Sequence, residues 1–202
     1  MLALAGALVT LSGLETLGFT PGWLGGLSAV VVPLIYLIFA SHCYLAFASR
    51  NATNTLAAHW TALGVLLLLL GVGVLGGLQA PLRQWTAGTR LSDLQPTLAL
   101  LAVAAISLAV INQASAEMRG HNRRVTGLVP FWLVAFGMIG GGLALAGAGL
   151  VQVYLERILS IGYVDAQALI APLYALWVGG LALLALGVGV YALVFWLRRP
   201  RP

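Results

Sequence analysis

The sequence predicts an all-α, polytopic integral membrane protein, a single transmembrane domain over residues 1–202 with about six transmembrane helices. Three observations predict it. The chain is 61% hydrophobic and only 7% charged, with a mean hydropathy of +1.01, and a water-soluble domain of this size needs a polar skin that such a composition cannot supply. Its apolar residues form runs of about 20, the length that crosses a bilayer core as a helix. Stretches such as "GVLLLLLGVGVLGG" lack the alternation of a barrel strand, which leaves helices as the way to satisfy the backbone in hydrocarbon.

In order, the spans are predicted at about 2–19, 24–48, 56–79, 94–114, 127–153 and 168–196. "TPGW", "SRNATN", "QAPLRQWTAGTRLSD", "AEMRGHNRR" and "LERILSIGYVDAQ" separate them. The first span is the shortest and carries Glu15 about one turn before its break. The fourth opens with "LSDLQPTLAL", where Ser92 or Asp93 serves as cap and Pro96 falls in the first turn, where its missing N–H has no intrahelical partner. Glu156 and Arg157 close the fifth span as a surface ion pair. Glycines cluster in the third, fifth and sixth spans; Gly71, Gly140, Gly141 and Gly142 are predicted helix-packing positions, because a missing side chain lets two backbones approach closely.

Charge sets the sidedness. Ten arginines and no lysine against five acids give a net charge of +5. In a six-span layout Arg50, Arg119, Arg123, Arg124, Arg198, Arg199 and Arg201 fall on one side, and Arg83, Arg90 and Arg157 on the other. The positive-inside rule then puts both termini in the cytoplasm. Tryptophans support the layout, with Trp60, Trp132 and Trp196 near the inner ends of their spans and Trp23, Trp85 and Trp177 near the outer ends. The arginines occupy short loops, so they read as topology signals and nucleic acid is not an expected partner.

Chemistry-bearing residues are few. Within the spans, Glu15 and His42 are the polar candidates. His42 and Cys43 are adjacent, so they point to different faces of a helix and form no ligand pair. His59 and His121 are scattered elsewhere, and a single cysteine forms no internal disulfide. Composition and spacing alone describe a helical membrane bundle with no catalytic or redox motif.

Several segments, however, carry a likeness. "TLAAHWTALGVLLLLLGVGVLGGLQAPLRQWTAGTRLSDLQPTLALLAVAAISLAVINQA" resembles the ninth and tenth helices of the bacterial nitric oxide reductase large subunit, of the haem–copper oxidase superfamily. "GLVQVYLERILSIGYVDAQ" resembles the end of the eleventh and its loop, and "TPGWLGGLSAVVVPLIYLIFA" the start of the eighth. The likeness implies the C-terminal half of that subunit, a haem–copper-oxidase-like half bundle of the last six helices, in a bacterial inner membrane with both ends cytoplasmic. In the family the tenth helix begins with His-x-His, ligands of the two haems. Here Gln95 and Thr97 take those positions, and neither is a plausible axial ligand. The family's His-His pair for the non-haem iron corresponds to Gly13 and Leu14, or to Glu15 after a slip of one residue, and its glutamate on the eighth helix falls in the region of "VVPLIY". The family's other metal ligands lie in its first six helices.

The resemblance therefore implies a non-catalytic, degenerate nitric-oxide-reductase-like subunit, a structural or accessory component of a larger respiratory or other electron-transfer membrane complex. No cofactor is expected on this chain alone, haem is expected only in a partner subunit, and lipid and membrane proteins are the expected partners. The alternatives are half of a split reductase or oxidase whose partner supplies the redox ligands, and a small quinone-binding or transport protein.

Overall fold

A computed structural model describes residues 55–75, 82, 84–118 and 127–197, with scattered helical residues between 27 and 41. The described residues contain helices and turns and no strand. The span predicted at 2–19, most of that at 24–48, and with them Gly13, Leu14, Glu15, His42 and Cys43, lie outside the described residues, as does the basic loop holding His121.

Among the described residues four long helices pack together. α1, Thr55–Leu68, passes into a π-helical stretch, Leu69–Leu75; α2 is Arg90–Met118; α3 is Leu128–Val153, extended by a π-helical turn, Tyr154–Ile158; α4 is Tyr163–Leu197. α2, extended α3 and α4 are each long and apolar enough to cross a membrane, and Leu56–Val72 is a shorter apolar helix. At 1.5 Å per residue the 35 residues of α4 reach about 52 Å, well beyond a hydrocarbon core of about 30 Å. The ends of the longest helices therefore lie in the headgroup region, where polar residues are tolerated.

The helices run up and down, and glycines set how closely they approach. Gly64 and Gly71, seven residues apart, share a face of α1 and its extension. A Cβ on Gly64 would come within 2.6 Å of Ile106 Cγ1, and one on Gly71 within 2.7 Å of Leu98 Cβ. Of the three membrane-length helices, α3 is the most buried. It takes Leu98 of α2 against Gly142 and the backbone of Leu91 against Gly149, and on its other side Gly137 and Gly141 meet Gly180 of α4. Trp60, Leu67, Leu98, Ala102, Val134 and Met138 form the centre of the core, where dispersion between close-packed atoms supplies the attraction that the hydrophobic effect does not supply in lipid.

The helix ends differ from the sequence expectations. α2 begins at Arg90 rather than 94 and reaches Met118, beyond the expected 114. Pro96 is thus its seventh residue, beyond the first turn, and has no N–H to give the Ser92 carbonyl. Neither Ser92 nor Asp93 is the cap: both lie within the helix, the Ser92 hydroxyl donating to the Thr89 carbonyl at 2.6 Å and the Asp93 carboxylate pairing with Arg90 at 3.2 Å. α4 starts at Tyr163, five residues before the expected 168. Glu156 and Arg157 do not pair with each other, because each is spent on a different partner. Glu156 instead accepts from the Gln152 amide at 2.8 Å, and Arg157 donates to the Ala87 carbonyl at 3.0 Å.

Gly71, Gly141 and Gly142 pack against neighbouring helices of the same chain, so the face they form is internal to the bundle. Only Gly140 of the four expected packing glycines has open space around it.

Candidate functional site

The polar residues of the described bundle gather at its two ends. At one end the turn before α2 contains Gly88, whose φ of +77° is a left-handed conformation that suits glycine. This turn delivers the Arg90 backbone N–H to the buried Gln152 side chain of α3, which accepts it at 3.0 Å. Gln152 thereby meets an amide in the first turn of α2, where the helix has no carbonyl to offer it. Its own amide goes to Glu156. The Arg90 guanidinium reaches α4: its Nε donates to the Tyr174 hydroxyl at 3.1 Å, and its Cζ lies 5.5 Å from the centre of that ring. Tyr174 in turn donates to Gln167 at 3.1 Å. One arginine at the start of α2 therefore ties three helices together where they leave the hydrocarbon.

At the opposite end the buried amide of Asn112 donates to the Leu108 carbonyl at 2.8 Å and to the Tyr191 hydroxyl at 3.0 Å, joining α2 to α4. Trp60 is fully buried there, edge-on to Phe131 with ring centres 5.1 Å apart and to Tyr191 at 6.1 Å. His59 stands edge-on to Phe131 at 5.5 Å, an aromatic contact.

Between the two ends lies the stretch where the family resemblance places its haem ligands. Gln95 and Thr97 are both partly buried. The Thr97 hydroxyl donates to the Asp93 carbonyl of its own helix at 2.7 Å, on the side of α2 that carries exposed Asp93 and Leu100. The Gln95 carbonyl belongs to the surface against which Gly71 packs. A hydroxyl committed to a backbone carbonyl and a neutral carboxamide are poor axial ligands for haem iron. Among the described residues no group of three or more His, Cys, Asp or Glu side chains comes together.

Sequence reasoning missed Asn112, Gln152 and Tyr191. It weighed ionisable groups within the spans, whereas these are neutral side chains that hydrogen-bond between or beside helices. Each does carry a legible signal, as an isolated polar atom in an apolar run that must find a partner inside the bundle.

No family model matches the chain. It is similar to a nitric oxide reductase subunit of Stutzerimonas stutzeri, 29% identical over 148 residues, which is 67% of this chain and 31% of that protein. The chain thus spans under a third of that relative's length. Its apolar helices make it a membrane protein, and its likeness to a nitric oxide reductase subunit is distant.

Proposed function

We propose that the chain is a non-catalytic, nitric-oxide-reductase-like subunit, a structural or accessory component of a larger electron-transfer complex in a bacterial cytoplasmic membrane. The reading rests on the start of α2, where the resemblance aligns Gln95 and Thr97 with the family's histidine pair, and it is supported by the Thr97 hydroxyl being spent on the Asp93 carbonyl. The distant likeness to the Stutzerimonas stutzeri reductase subunit supports a related membrane scaffold. Any haem in the assembly is then held by a partner subunit, and no redox step is assigned to residues of this chain.

The test is gentle extraction of a tagged chain from its native membrane, followed by visible absorption and mass spectrometry. Co-purification of a defined membrane complex, with any Soret band lost when the chain is separated from it, is the expected result. A Soret band retained by the isolated chain and abolished by His42→Ala would overturn the non-catalytic assignment. Extraction as a lone monomer, with every membrane complex unchanged on deletion, would overturn the subunit assignment.

A further inference from the structure

We draw no further inference here: the strongest candidate, the apolar groove between α1, α2 and α3 lined by Leu70, Leu98, Met138 and Leu143, carries none, because nothing in the structure shows what covers it.

Discussion

Gly141 of α3 and Gly180 of α4 meet backbone to backbone: a Cβ on Gly180 would lie 2.7 Å from Gly141 Cα and 3.0 Å from the Gly137 carbonyl oxygen. Both obstacles are backbone, which cannot rotate aside. Gly180→Ala is therefore expected to push α3 and α4 apart and to cost roughly 1–3 kcal/mol, the range for overpacking a tight contact. Gly179→Ala, one residue away with nothing within 4 Å, is the control and should be neutral or slightly stabilising. Unfolding in mixed micelles measures both. Equal effects from the two variants would show that the close approach does not govern stability.

The same geometry changes what a substitution at Gly141 reports. A Cβ there would meet Gly180 and Trp177 at an ordinary 3.7 Å, so Gly141→Ala should be tolerated. Gly141→Leu should disrupt the chain's own α3–α4 pair rather than a contact with another subunit. Cysteine crosslinking between α3 and α4 separates the outcomes, since an unchanged crosslink in the leucine variant would place Gly141 on an outer face.

Asn112 and Tyr191 join α2 to α4 through a 3.0 Å hydrogen bond in a buried setting. Interhelical hydrogen bonds in membranes contribute about 0.6 kcal/mol on average and up to about 1.7. Asn112→Ala, Tyr191→Phe and the double variant should yield a coupling energy in that range. Tyr191→Phe alone should be mild, because the Asn112 amide keeps the Leu108 carbonyl. A coupling of zero in the cycle would mean that the pair merely coexists.

The helical membrane architecture was legible because runs of about 20 apolar residues have few other physical solutions. The helix ends were less so. Residues 90–93 read as loop because Arg90, Ser92 and Asp93 are polar. They are helical because Gln152, 62 residues away, supplies an acceptor for the Arg90 amide, and no local pattern encodes that. The break from α to π winding at Leu69 was also illegible, since "LLGVGVL" favours neither over the other. Glycine spacing pointed to close helix contacts at four positions, of which Gly140 has nothing within 4 Å. It could not distinguish a contact within the chain, as Gly142 makes with Leu98, from one with a partner.

Gln152 is the next residue to test. Buried, it accepts from Arg90 N and donates to Glu156. Gln152→Leu removes both bonds and leaves the Arg90 amide without that acceptor, at a cost of roughly 1–3 kcal/mol. Gln152→Glu keeps the acceptor and places a second carboxylate beside Glu156, so at neutral pH it should also destabilise, through like-charge repulsion. A leucine variant as stable as wild type would show that this hydrogen-bonded junction is dispensable.

The two ends of the bundle should lie on opposite sides of the membrane. Arg157 bonds to Ala87 and Arg90 to Tyr174 at one end, while Asn112 and Trp60 meet Tyr191 at the other. With seven arginines assigned to the second side and three to the first, the Ala87 turn is expected in the periplasm and Asn122 in the cytoplasm. Single cysteines at those positions in a Cys43→Ala background, labelled with an impermeant maleimide, decide it. Labelling at 122 from outside intact cells would reverse the orientation.

The last prediction concerns Gln95 and Thr97, the positions that the proposed reading aligns with haem ligands of the reductase family. If residue type alone decided haem binding there, histidines at both positions would create a haem site. The structure argues otherwise. Thr97 lies toward the side of α2 that carries exposed Asp93 and Leu100, while Leu94 and Leu98, on the buried side, pack into the core with Met138. Close approach of Gly71 to Leu98 and Ala99 brings α1 directly onto α2 at the same level. Among the described residues, imidazoles at 95 and 97 would thus meet the backbone of α1 and the outer side of α2, with no walls there to position a macrocycle. Gln95→His with Thr97→His, expressed with excess haem, is expected to yield no Soret band from the isolated chain and to leave helix content unchanged. A stoichiometric six-coordinate spectrum from that double variant would show that these positions retain a haem-shaped space, and would return the chain to the redox candidates.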